Sequence, residues 1–283
     1  MARRVVIAAT AVRRMSGPGP VLLVGLALSW LAVIIGAPLA TVIVEATSKG
    51  AGAFLDAFKD PDAWAAIRLT LLVAAVAVPL NAVFGLAAAW SIAKFEFRGK
   101  AVLLTLIDLP LSMSPVIAGL VWVLVFGARG WFGPALDVAG VKIIFAVPGI
   151  ILGTILVTVS LIARELIPLM TQQGADEELA ATSLGARGWT VFRRVTLPNV
   201  RWALLHGVLL GNARAMGEFG AVSVLSGHIR GLTETLPLHV EALYNDYDYV
   251  GAFSAATLLA GLAVVTLIAK AALERFGTPH VAI

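Results

Sequence analysis

Five stretches of this chain run for at least twenty residues without a charge: residues 21–44, 69–93, 109–128, 143–163 and 250–269. A helix needs about 20 apolar residues to cross a hydrocarbon core of about 30 Å. Each stretch is therefore long enough to span a bilayer. A sixth, 202–227, is interrupted only by Arg214 and Glu218. The expectation is an all-α polytopic membrane protein with six transmembrane helices and both termini on one side.

Composition agrees. Charged residues are 13% of the 283, about half the roughly 25% of a soluble domain. A water-facing surface cannot be covered with so few charges, and a disordered chain or a coiled coil is excluded too. The net charge is only +4 and the basic residues do not share one face, so nucleic acid is not an expected partner. Without cysteine there is no disulfide framework and no thiolate metal site.

Orientation follows from Lys and Arg in short loops. With the N-terminus inside, fourteen of the 21 basic residues fall in inside segments and five in outside segments. This predicts an N-in, C-in, multi-pass membrane protein. Residues 1–20 carry Arg3, Arg4, Arg13 and Arg14 and end in Gly17-Pro18-Gly19-Pro20, which is not expected to hold a helix. They read as a basic cytoplasmic tail. The apolar run that follows is longer than the h-region of a cleaved leader and reads as a retained first span. Residues 21–276 then form one membrane domain, and 277–283 a C-terminal tail.

The outer loop 45–68 places Phe54, Leu55, Phe58 and Trp64 among Asp56, Lys59, Asp60 and Asp62, a pattern suited to a short amphipathic helix at the interface. The inner segment 164–201 is much longer than a hairpin needs, and long loops tend to carry function. Within it, Asp176, Glu177 and Glu178 suit a helix start, where acids complement the macrodipole. Leu179, Ala180, Ala181 and Leu184 make a small apolar face. Gly185 suits the left-handed C-terminal cap. A second amphipathic turn over 189–195 is expected to stop at Leu197-Pro198. The whole reads as a helix–turn–helix knob that fits a groove on a partner. A helix pair on the membrane surface, with Arg193 and Arg194 touching lipid phosphate, is the alternative.

Two polar groups fall within the spans. Asp108, Ser112 and Ser114 cluster with Pro110 and Pro115, which suggests a helix opened beside a pathway. Arg214 and Glu218 stand four apart and are expected to share a helix face. A lone charge at mid-bilayer costs at least about 2.5–3.5 kcal/mol, so function is the default hypothesis for such residues. A gate or helix lock suits the pair better than anion binding, because Glu218 cancels Arg214. Asn212, Ser223 and Ser226 suit either a polar path or interhelical hydrogen bonds. His206, His228, His239 and His280 lack metal-ligand spacing and read as interfacial residues. No nucleophile or paired-carboxylate arrangement calls for an enzyme, and no cofactor is expected.

Residues 178–198 resemble the EAA loop of binding-protein-dependent ABC importer permeases. That pattern is Glu-Ala-Ala, three residues, Gly, nine residues, an aliphatic, one residue, Leu-Pro. Here Gly185 is followed at the right spacing by Val195, Leu197 and Pro198. The small pair is Ala180-Ala181, and the acid is Glu178, one position earlier than in the pattern. The string Asp108-Leu109-Pro110-Leu111-Ser112-Met113-Ser114-Pro115 resembles the third span of sulfate/thiosulfate permeases. Residues 212–222, 226–231 and 235–241 are similar to the W-type subunit of that system. Molybdate permeases share parts of these motifs, so molybdate or tungstate is the alternative cargo.

The resemblance implies a type I importer permease fold with a cytoplasmic coupling helix. It also implies three kinds of partner besides membrane lipid: ATP-binding subunits, a paralogous second permease, and a periplasmic sulfate-binding protein. Its coupling residues would be Glu178, Ala180, Ala181, Gly185, Val195, Leu197 and Pro198. The gate or path residues, read from the polar groups within the spans, would be Asp108, Ser112, Ser114, Asn212, Arg214 and Glu218. The chain has no GxxxxGK[ST] phosphate loop, because Gly99-Lys100 is followed by Ala101. Hydrolysis would then belong to a separate subunit. An ion-coupled secondary transporter using Asp108, Arg214 and Glu218 is the rival from another class, though no repeated half supports it.

Overall fold

A computed structural model describes residues 18–277, and the described residues are helical with connecting turns. The basic tail expected over 1–20 lies outside the described residues up to position 17, as does the C-terminal tail beyond Gly277. Helices α1 (Pro18–Leu31) and α2 (Ala37–Ala46) are joined by a π turn at Ala32–Gly36 into one apolar rod. The rod begins inside the Gly17–Pro20 stretch that was expected to be non-helical. Prolines fit a first turn because the N–H groups they lack have no intrahelical partner there.

The outer amphipathic stretch is split. A short α3 (Ala51–Asp56) is followed by the start of α4 (Pro61–Lys94). The Asp60 carboxylate accepts from the Asp62 N–H at 3.0 Å and caps α4, with Pro61 as its first residue. Trp64 therefore belongs to α4, its indole N–H donating back to the Phe58 carbonyl at 2.8 Å.

Helix α4 is paired along its length with α8 (Val147–Gln173), and the two run parallel. Leu69 packs with Ile150, the Asn81 amide donates to Thr158 Oγ1 at 2.8 Å, and Gly85 lies against Ile162. At the far end, Lys94 donates to the carbonyl of Gly174, just past α8. Helix α11 (Leu197–Met216) crosses both in the opposite sense: Val200 packs near Met170 and Leu166, while Ala215 and Met216 pack near Ala74 and Val78.

Two expected spans are broken. In place of one helix over 109–128 there are α5 (Lys100–Ser112) and α6 (Pro115–Phe126), bent by 112°. The residue before a proline is pushed out of the helical region, and Ser114 is extended at ψ 135°. The stretch 202–227 is likewise α11 and α12 (Gly220–Ser226), separated by Gly217–Phe219. The breaks touch: a β-carbon on Gly220 would sit 2.9 Å from Pro115 Cβ. One on Gly119 would sit 2.8 Å from the Ala221 carbonyl oxygen, so only glycine lets α6 approach α12 this closely.

The end of the bundle opposite Lys94 is completed by α7 (Gly133–Val138) and α13 (Leu236–Asn245), which packs on α14 (Tyr249–Gly277). The Leu236 N–H donates to Thr70 Oγ1 at 2.7 Å and ties α13 to α4. His239 is not interfacial. It is buried with Glu234, its Nδ1 3.6 Å from Glu234 Oε1. Arg230 pairs with Asp246, whose hydrogen bond and charge hold the guanidinium above its ordinary pKa.

Candidate functional site: an inner elbow and two broken helices

The segment expected as the inner loop 164–201 is shorter than that range. Arg164 and Glu165 remain inside α8, and residues 197–201 belong to α11. Both charged residues of α8 have side-chain partners, Asp108 and His206, so the helix continues past the end of the uncharged run. The elbow proper begins at Gly174, whose φ of +66° ends α8.

From there α9 (Asp176–Ser183) carries Asp176, Glu177 and Glu178 in its first turn. It closes as the composition suggests. Gly185 stands at φ +85°, its N–H bonds to the Thr182 carbonyl at 2.9 Å, and the Ala186 N–H bonds to the Ala181 carbonyl at 3.1 Å. That pair of bonds is the Schellman arrangement, and it uses up carbonyls the helix end leaves free. The chain then turns into α10 (Gly188–Val191).

Leu197-Pro198 does not stop the second helix. A π turn over Phe192–Thr196 links α10 to α11 with helical backbone throughout, and the Leu197 N–H reaches the Phe192 carbonyl five residues back. The widened turn lets Pro198, which has no N–H to give, enter the first turn of α11. Phe192 packs its ring 5.5 Å from Trp189 and 5.2 Å from Trp90 of α4.

The elbow presents an apolar tip. Leu184 is 90% exposed, Leu179 and Trp189 are open, and so are Ala180, Gly185 and Pro198. Ala181, Val195 and Leu197 are half-buried on the inner side of the knob. Glu178 is not part of the tip. Its carboxylate meets Lys94 Nζ at 2.9 Å and accepts from Thr196 Oγ1 at 3.1 Å. The Lys94 side chain is only 7% exposed. Losing one partner of such a pair leaves the other charge buried and unpaired, at a cost of about 3–5 kcal/mol. Nothing along the chain links Lys94 to Glu178, which lies 84 residues away. A lysine closing an apolar run was the one signal available.

The polar residues within the helices fall into two places. Asp108 accepts from Arg164 Nε at 2.8 Å, both side chains about half-exposed. With Thr105 and Ser112 they line a shallow cavity of about 380 Å³. Ser112 bonds its hydroxyl to the Leu109 carbonyl at 2.8 Å, and Ser114 is the residue at which the chain turns into α6.

Arg214 and Glu218 meet at 2.8 Å, but not along one helix face, because α11 ends at Met216. Glu218 lies in the break. There its Oε1 accepts from the Ala221 N–H at 3.0 Å, close to the positive end of α12. Asn212 lies one turn back on α11, its amide 4.0 Å from Met216 Sδ. Ser226 is buried and accepts from the His228 N–H at 3.0 Å, a local bond and not one between helices.

The family described as the binding-protein-dependent transport system inner membrane component matches residues 81–276, a region that holds both the elbow and the two breaks. The chain belongs to that family. Among its relatives, the sulfate transport system permease protein CysW of Synechococcus elongatus is 51% identical over 255 residues, 90% of this chain and 89% of that protein. The sulfate transport system permease protein CysT of Salmonella typhimurium is 31% identical over 261 residues, 92% of this chain and 94% of that protein. A solved bacterial ABC transporter involved in importing the acidic polysaccharide alginate has a chain that superposes with a TM-score of 0.76. It does so at 16% identity, covering 92% of this chain and 96% of that one, so the permease shares its fold. The family is one of transport permeases, integral to the membrane and not themselves catalytic.

Proposed function

We propose that this permease is the W-type membrane subunit of an ATP-driven importer of sulfate and thiosulfate. The observation that carries the reading is the elbow: a closed helix–turn–helix with an open apolar tip between α8 and α11. Half-identity to a sulfate permease over nine-tenths of the chain supports the anion. Molybdate or tungstate, also tetrahedral dianions, is the runner-up.

The chain crosses six times in this reading, with α5–α6 as a broken third crossing and α11–α12 as a broken fifth. Helix direction supports it. Because α4 and α8 run parallel, the chain must return across the membrane between them, and α5 and α6 lie there. The excess of Lys and Arg in the short inner segments of the sequence supports a cytoplasmic side for both termini and the elbow. The inner (plasma) membrane is the location.

ATP is hydrolysed on separate subunits that grip the elbow tip through Leu179, Ala180, Leu184 and Gly185. A CysT-like paralogue completes the pathway, and a periplasmic binding protein delivers the anion. Closure of the ATPases moves the elbow, and the helices behind it reorient between inward and outward access. The Ser112–Pro115 and Gly217–Phe219 breaks touch, so they move together and form the gate. Asp108 lies one turn before the first break, paired with Arg164, and Arg214–Glu218 spans the second. Half-exposed charges at this depth must face water or protein and not lipid tails, so Asp108 and Arg214 border the path.

The test is uptake by the assembled importer in liposomes. Sulfate should accumulate only with ATP on the elbow side and should continue when proton and sodium gradients are collapsed. Gradient-driven uptake without ATP would favour an ion-coupled transporter.

A further inference from the structure

The elbow joins the rest of the chain through weak hinges. Gly174 and Gly185 both sit at positive φ, and α9 has no fully buried residue. A push on the tip could flex these joints and leave the long helices where they are. One buried cluster opposes this. Lys94 is the last residue of α4, and its ammonium meets both oxygens of Glu178, at 2.9 and 3.1 Å, and the carbonyl of Gly174. Glu178 is in the first turn of α9 and also holds the hydroxyl of Thr196, which is buried just before α11. Four segments thus converge on one ion pair: the ends of α4 and α8, the start of α9 and the start of α11.

The charges also match the helix ends. Lys94 faces the negative C-terminal ends of α4 and α8, and Glu178 sits at the positive start of α9. The cluster is shielded from water, so salt screens it less than a surface pair. Trp90, one turn before Lys94, adds an apolar contact through Phe192.

We propose that Lys94 is a positioning residue for energy coupling: through Glu178 it turns displacement of the elbow into movement of α4 and α8 together. This rests on the docking role given to the elbow above, and it adds that the acid at the start of the elbow is held by the permease itself and does not serve as the handle for the ATPase. Tip and tie are then separate functions on opposite sides of α9.

The experiment uses the complete importer in liposomes and reads ATP hydrolysed per sulfate moved, with co-purification of the ATPase as the measure of assembly. Lys94→Met should keep the ATPase bound and stimulated by the loaded delivery protein, while ATP spent per sulfate rises about tenfold, within the usual range of site-to-site coupling. Lys94→Arg should stay near the unmodified ratio. If Lys94→Met alone does not assemble, the neutral pair Lys94→Met with Glu178→Met leaves no orphan charge and carries the test. An unchanged ratio in the neutral pair overturns the proposal. So does failure of the neutral pair to assemble, since the contact is then a folding requirement only. Leu184→Asp, on the open tip, separates the two claims. If it transports normally, the docking role is wrong. If it uncouples while the neutral pair does not, only the tie is wrong.

Discussion

Arg214 and Glu218 are bound at 2.8 Å across the end of α11, with the glutamate side chain 1% exposed and the arginine 43%. The carboxylate thereby holds two jobs, pairing with the last turn of α11 and capping the first turn of α12. Arg214→Ala removes one of them and leaves a buried anion. A loss of about 3 kcal/mol is expected, at the low end for a broken buried pair because the cap remains. Thermal unfolding of the assembled importer measures it. Affinity for the loaded delivery protein should stay unchanged, and a shift confined to apparent anion affinity would mean that Arg214 binds the substrate.

Gly185→Trp tests the elbow tip from another side. Nothing lies within 4 Å of a β-carbon there, so the side chain has room, but φ is +85°. The backbone cost is about 1–2 kcal/mol and local. The protein should reach the membrane in normal amount, while uptake falls and hydrolysis no longer responds to loaded delivery protein. Normal uptake in this variant would remove the elbow from the mechanism.

Gly119→Val probes the contact between the breaks. A β-carbon at 2.8 Å from the Ala221 carbonyl oxygen meets backbone, which cannot swing aside. Separation of α6 from α12 and a destabilisation of about 1–3 kcal/mol are expected, as for overpacking in general. Reduced membrane level and a lower melting temperature are the measures. An unchanged melting temperature would mean the two breaks are not packed as described.

Asn81→Ala removes the buried amide that bridges α4 to Thr158 Oγ1 at 2.8 Å and to the Ile155 carbonyl at 3.1 Å. Thr158 still donates to the Thr154 carbonyl, so no hydroxyl proton is stranded. Interhelical bonds of this kind contribute about 0.6–2 kcal/mol in membranes. The loss should appear in unfolding of the assembly, with ATP spent per sulfate unaltered. A change in that ratio would give Asn81 a role in coupling.

How far the sequence reached can be followed residue by residue. Gly185 was legible as a helix end because left-handed backbone is a local property that glycine alone meets cheaply. The acidic first turn of α9 was legible for a similar local reason. Arg164 ends an uncharged run and so reads as loop, whereas Asp108 on another helix keeps it inside a helix. Pro198 reads as a stop along the chain, but its effect depends on whether the preceding turn widens.

From the chain alone came the membrane class, the number and approximate place of the apolar runs, and the elbow with its glycine hinge. All of these are set by transfer of side chains out of water or by local backbone preference, and both are readable along one dimension. Only the folded chain decided that α4 and α8 run parallel, that the breaks at Pro115 and Gly220 meet, and that Lys94 holds Glu178. Those depend on which surfaces come within a few ångströms of each other, and packing and paired charges act across space without regard to distance along the chain.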